Sequence, residues 1–148
     1  MFEKFTENGR KAFVIANLEA QRFHHEGVET EHVLLGLIKE GESVTLHIFE
    51  ELGVDLKGLK TQCEGLGQAA HEEGDVDKLP QSPQIQHVIA HAIEEARLLK
   101  HNVVGSEHIL LGLICETNGA ASGILARHGV TLDKVRQTIQ RLRPHTAS

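Results

Sequence analysis

The chain has 148 residues, 40% of them hydrophobic and 24% charged, with a formal net charge of -6. That composition suits a folded globular domain. It argues against a membrane span, which needs roughly 20 apolar residues in a row, and against a nucleic-acid binder, which needs a basic face. The opening Met1-Phe2-Glu3-Lys4 has no apolar signal core, so no secretory leader is expected. Cys63 and Cys115 match no metal-ligand spacing and read as reduced core thiols of a cytoplasmic protein.

A first helix is predicted from Thr6, as N-cap, to about His25. Ala12, Phe13, Ala16, Ala20 and Phe23 form one helical stripe along it. After a short turn, Thr30 is the expected cap of a second helix, with Glu31 in the first turn, where the helix dipole favours a carboxylate. This helix is apolar nearly all round through Val33, Leu34, Leu35, Leu37 and Ile38, which places it at the centre of a core. Gly36 inside it costs about 1 kcal/mol against Ala, a cost that suggests close packing on a neighbouring helix. Ser43 starts a third helix that ends at Gly53, and Asp55 caps a fourth, with Val54 and Leu59 as its hydrophobic staple.

Residues 67–80 form a polar linker, and the acidic run from Glu72 to Asp77 within it is most simply solvated. Ser82-Pro83 then opens a helix whose stripe is Val88, Ile89, Ala92, Ala96 and Leu99. Ser106, with Glu107 behind it, is the expected cap of the next helix. Gly119 starts the one after, which ends at Gly129, and Thr131 caps the last, with Val130 and Val135 as staple. Each of these features repeats an earlier one at an offset of 76 residues: Thr30-Glu31-His32-Val33-Leu34-Leu35-Gly36-Leu37-Ile38 returns as Ser106-Glu107-His108-Ile109-Leu110-Leu111-Gly112-Leu113-Ile114. The chain is therefore a tandem duplication. The expected fold is all-α, two tandem four-helix repeats, in one compact domain or as two small half-domains sharing a core. The first repeat spans residues 1–66, the linker 67–80, the second repeat 81–142 and a frayed tail 143–148.

The halves differ in surface. Residues 1–74 carry 7 basic and 14 acidic side chains, a net of -7, while residues 75–148 carry 8 and 7, a net of +1. All five Phe lie in the first repeat, and there is no Trp or Tyr.

The two nine-residue motifs resemble the Clp amino-terminal (Clp-N) repeat of the Hsp100/Clp unfoldases. The opening Met-Phe-Glu-Lys-Phe-Thr-Glu-Asn-Gly-Arg-Lys-Ala resembles the start of the ClpC type. The resemblance covers nearly the whole chain. It implies an all-helical, pseudo-twofold domain that binds adaptor proteins and protein substrates for a Clp AAA+ ATPase module, in cis or in trans. It implies no enzyme activity, cofactor or metal of the domain's own. In the ClpC branch it further implies pockets for phosphorylated arginine, one built on Thr6 and Glu31, the other on Ser82 and Glu107. Such pockets would set a carboxylate fork against the guanidinium and helix-start amides against the phosphate. This chain departs from the family pattern at Glu29, where a Gly is usual, at Ser106 for Thr, and in Ser82-Pro83-Gln84-Ile85-Gln86-His87, which lacks the usual basic residues.

No ATPase loop is present: Gly36 to Gly41 is followed by Glu42-Ser43, with no lysine placed for phosphates. Two other readings stand beside the binding module. One is a freestanding structural accessory subunit of a Clp complex. The other is a small enzyme using Glu31 with His32 and Glu107 with His108, although no nucleophile supports it. The recurrent His32 and His108 are read as hydrogen-bonding the turn before their helix. The remaining histidines, including His24-His25 and the i, i+4 pair His87 and His91, are read as surface residues without a metal.

Overall fold

A computed structural model describes residues 3–40, 44–65 and 82–142. Among these are eight helices: α1 (Glu7–Arg22), α2 (Thr30–Glu40), α3 (Val44–Glu51), α4 (Leu56–Gly65), α5 (Pro83–Leu98), α6 (Ser106–Cys115), α7 (Ala120–Arg127) and α8 (Leu132–Leu142). The expected cap at Ser43, the linker 67–80 and the tail 143–148 lie outside the described residues.

Helix starts and stops follow local chemistry. The Thr6 hydroxyl accepts the Gly9 N–H at 3.0 Å and caps α1. The helix ends at Arg22, short of the expected His25, because His24 turns left-handed (φ 59°). The His24 and His25 N–H groups then close on the carbonyls of Gln21 and Ala20 at 3.0 and 2.9 Å. Lys100 (φ 62°) ends α5 in the same way. Gly53 and Gly129 stop α3 and α7 at φ 71° and 77°, where glycine alone bears no steric cost. Thr131 caps α8 through the Lys134 N–H, 3.3 Å away.

The expected caps at Thr30 and Ser106 are corrected. The N-cap of α6 is Gly105, one residue earlier. The side chain three residues on, His108, takes the Gly105 N–H through Nδ1 at 2.8 Å. His32 does the same for the Glu29 N–H, also at 2.8 Å. Thr30 serves the other repeat instead. Its hydroxyl accepts the Ala121 N–H of α7 at 3.1 Å. Gly119, the N-cap of α7, has no side chain to do so, and a Cβ there would sit 2.6 Å from Thr30 Oγ1. Ser82 occupies the N-cap position of α5 with Pro83 behind it, but its hydroxyl makes no cap bond.

The architecture is two helical hairpins, α1 on α2 and α5 on α6, around one core. Each hairpin approaches closely at its central glycine. A Cβ on Gly112 would lie 2.5 Å from the Val88 carbonyl oxygen of α5, and a Cβ on Gly36 would run into the Ala12 carbonyl of α1. The alanines at 16, 20, 92 and 96 are all buried beside these contacts. The central helices α2 and α6 touch each other, α2 packs on α7 as α6 packs on α3, and α1 reaches α6 as α5 reaches α2. Exchanging the halves preserves that pattern, so the pseudo-twofold runs between α2 and α6. The two repeats share one hydrophobic cluster, in which Leu34, Leu35, Ile48, Phe49, Ile109, Leu110 and Leu125 are fully enclosed.

Both cysteines are free thiols. Cys63 is buried as expected, and that burial, with the nearby charges of Glu31 and Glu64, pushes its thiol up to about 12. Cys115 is half-buried rather than core.

Two substitutions check this packing by chemical denaturation. Gly112→Ala must force α5 away from α6 and should lower stability by about 1–3 kcal/mol, the usual cost of overpacking. If it matches the parent, the helices do not approach as described. Thr30→Val, which keeps the shape but loses the acceptor for α7, should cost about 1 kcal/mol, as N-cap deletions do.

Candidate functional site

Two equivalent sites lie where a helix start of one repeat meets the turn before the central helix of the other. At one, the Thr6 N–H donates to the Val104 carbonyl at 2.9 Å and the Val104 N–H donates to the Lys4 carbonyl at 2.8 Å. Phe5 and Val104 thereby form a single parallel bridge. At the other, the Ser82 N–H donates to the Val28 carbonyl at 3.0 Å.

This exchange corrects the pairing expected from sequence. Thr6 is joined to the turn that carries Glu107, and Ser82 to the turn that carries Glu31. Thr6 and Glu31 belong to the same hairpin but to opposite ends of it. The 16 residues of α1 separate them by about 24 Å at 1.5 Å per residue. Ser82 and Glu107 are held apart by the equal length of α5.

The two turns differ in detail. Glu107 is 2% exposed and its carboxylate folds back over Gly105, so that a Cβ at 105 would collide with it. The equivalent of Gly105 is Glu29, whose side chain starts where Gly105 has none. The Glu31 carboxylate therefore has no room to fold back in the same way. Glu31 is 9% exposed, and among the described residues it meets no basic side chain and no donor beyond its own backbone N–H. Burial pushes its carboxyl above the usual range. Its own N–H opposes that rise, and the like charge of Glu29 adds to it.

Two other buried carboxylates, Glu95 and Glu19, are paired with cations. Glu95 is gripped by Arg136 through two bonds of 2.9 and 2.6 Å. Its equivalent Glu19 meets Arg22 and Lys39, each at 3.0 Å. Burial opposes ionisation of Glu19, yet those two cations hold its carboxyl below the usual range.

Behind each turn lies a pair of histidines that sequence reading missed. His101 Nδ1 is 2.8 Å from His108 Nε2, and His25 faces His32 in the same way. His25 and His101 are thus half-buried partners of the inner rings rather than surface residues. The available signal was their recurrence at the repeat offset, seven residues before His32 and His108. The turn fixes the tautomers. Since His108 Nδ1 accepts the Gly105 N–H, the ring proton sits on Nε2 and is donated to His101. The nitrogens of His101 and His108 and a Glu107 oxygen come within 4.8 Å of one another, a metal-like grouping. However, the tautomer that holds the turn leaves His108 no lone pair at Nε2 for a metal ion. His32 and His108 are committed to the turn and each has its Nδ1 lone pair occupied.

His32 is 1% exposed, and burial first, then the His25 ring, push it down to about 4. In the unfolded chain it would titrate near 6.5. The unfolded state therefore takes up the proton first as pH falls. The contribution to stability is complete above about pH 6.5 and is lost towards pH 4, to a limit of about 3 kcal/mol. Glu31, raised in the fold, acts in the opposite sense on acidification. A comparison with His32→Asn, which keeps an acceptor for the Glu29 N–H, isolates the histidine. The parent should lose more stability between pH 7 and 4 than the variant, and parallel pH profiles would refute this assignment.

Comparison with known proteins agrees with this architecture. The family model for the Clp repeat (R) N-terminal domain matches residues 4–92 and 81–148. The negative regulator of genetic competence ClpC/MecB of Bacillus subtilis (strain 168) is 39% identical over 142 residues, covering 96% of this chain and 17% of its own length. The chain thus spans under a fifth of the curated relatives it matches. Among solved structures, the N-terminal domain of the caseinolytic protease associated chaperone ClpD from Arabidopsis thaliana superposes with a TM-score of 0.74 at 26% identity, covering 97% of both chains. A ClpV N-domain in complex with a VipB peptide superposes at 0.75 with 16% identity, covering 96% of this chain and 87% of that one. With the family model matched over both repeats and a relative of this similarity, the chain belongs to the Clp repeat N-terminal domain family.

Proposed function

We propose that this chain is a protein-binding module, which recognises arginine-phosphorylated substrates and docks adaptor proteins for a Clp AAA+ unfoldase, in cis or in trans. The observation that carries the reading is the clamp between Thr6 and the Val104 turn, which sets a capped helix start beside the buried Glu107 carboxylate. A phosphorylated guanidinium needs both halves of such a site: a carboxylate for its remaining N–H groups, and helix-start amides for its phosphate. Lys4, Arg10 and Lys11, in and just before the first turns of α1, outnumber Glu3 and Glu7 there and favour an anion. The peptide held by the ClpV N-domain supports a peptide ligand for this fold. Adaptor docking has its own support in Val14 and Leu18, one turn apart on α1 and 60% and 56% exposed.

Amide-resolved NMR titration with phosphoarginine tests the tag site. Saturable shifts are expected at residues 6–10 and 104–107, and they should vanish in Glu107→Gln. A flat titration, or one that Glu107→Gln leaves unchanged, would remove the tag-reading function.

A further inference from the structure

The two helix-start sites are equivalent in backbone but not in charge, and the inference below rests on reading both as guanidinium sites. We infer that the site formed by Ser82 and the Val28–Glu31 turn takes an unphosphorylated guanidinium, the arginine side chain of a peptide substrate, while the Thr6–Glu107 site takes the phosphorylated form.

Glu31 is a carboxylate with nine-tenths of its surface removed from water and, among the described residues, no cation against it. Two other buried carboxylates, Glu19 and Glu95, are each held by basic side chains, and Glu116 faces the His87 ring at 3.4 Å, whereas Glu31 has neither kind of partner. A buried carboxylate gains most from a planar cation that forms two parallel N–H···O bonds. Glu29 adds a second, exposed carboxylate at the mouth of the site. The Ser82 hydroxyl oxygen is buried and has no hydrogen-bond partner, so it offers a further acceptor to a guanidinium N–H.

The same residues disfavour a phosphate. Pro83 at the first helical position has no N–H, whereas Glu7 at the equivalent position of α1 has one, so the α5 start offers one amide fewer; the Ile85 and Gly9 N–H groups are both already donated, to the Ser82 carbonyl and the Thr6 hydroxyl at 3.0 Å each. The basic residues Arg10 and Lys11 of the α1 start correspond to Gln86 and His87 on α5. A phosphate at this end would face Glu29 and Glu31 with no lysine or arginine from the α5 start to offset them. At the other end, Gly105 removes one of the two carboxylates, and Lys4, Arg10 and Lys11 outnumber Glu3 and Glu7 around the α1 start, whereas residues 82–87 carry no lysine or arginine.

The test is an amide-resolved NMR titration of the whole chain with N-acetyl-arginine amide and, separately, with phosphoarginine. Arginine amide should give saturable shifts at residues 28–31 and at Ser82, Gln84 and Ile85, and these should disappear in Glu31→Gln, which keeps the shape and removes the charge. Phosphoarginine should bind this end at least about tenfold more weakly than arginine amide does. Glu29→Gly, which restores the second repeat's residue, should narrow that gap severalfold. Absence of saturable arginine shifts at these residues, their persistence in Glu31→Gln, or equal binding of the two ligands would each overturn the inference. Phosphoarginine binding only at Thr6 and Glu107, with arginine amide silent at Glu31, would sink this inference and leave the proposed function intact. Arginine amide binding at Glu31, with phosphoarginine silent at Thr6 and Glu107, would remove the tag-reading function and the phosphorylated half of this inference, and leave the Glu31 end as an arginine site.

Discussion

The molecule depends on an exchange of backbone and capping bonds between its two halves. The start of α1 hydrogen-bonds to the turn before α6, and the start of α5 to the turn before α2. The hydroxyl at the start of α2 caps α7. Polar contacts extend the exchange, with His128 on Gln62 at 2.8 Å and Arg141 on Glu51 at 2.8 Å. Each helix end has orphan amides that need a partner, and here many of those partners belong to the opposite repeat. Neither repeat satisfies all of its own termini, and the faces of α2 and α6 turned away from α1 and α5 are covered by the other half.

The candidate sites are a product of that exchange. The turn at Val28 or Val104 is pinned from outside by a helix start of the other repeat and from inside by a histidine that takes the N–H of residue 29 or 105. Between those two restraints sits the glutamate. Its position is set by the fold itself, the kind of preorganisation that would lower the ordering cost of any binding there. The inner histidines hold the geometry by keeping one tautomer, and the outer ones, His25 and His101, accept the remaining ring proton.

Much of the fold was legible in the sequence, because the offset of 76 residues aligned each weak local signal with a second copy. The glycines at 36 and 112 announced close helix contacts, and the glycines at 53 and 129 announced helix ends, since few other residues suit either role. The site was legible only as a set of residues. Spacing along a duplicated chain says that Thr6 and Ser82 are equivalent, and that Glu31 and Glu107 are equivalent, but not which member of one pair meets which member of the other. Thr30 was misread as a cap of its own helix for a related reason. A threonine at a helix start is normally read locally, whereas the amide it serves is 91 residues away. His25 and His101 were overlooked because a half-buried ring carries no hydrophobic periodicity to mark it.

The clamp between helix start and opposing turn also bears on how such a chain comes to differ at its two ends. A lone repeat with these termini would meet a second copy of itself across an isologous interface, each copy lending its helix start to the other. Joined in one polypeptide, the two halves find each other at a high effective concentration whatever the amount of protein. Symmetry is then no longer enforced. In a dimer of identical repeats, a glutamate at the position of Glu29 would appear at both ends at once. In the fused chain it faces Ser82 alone, while glycine is kept at the end that faces Thr6. The covalent link thus turns one duplicated junction of helix start and turn into two independently adjustable ones.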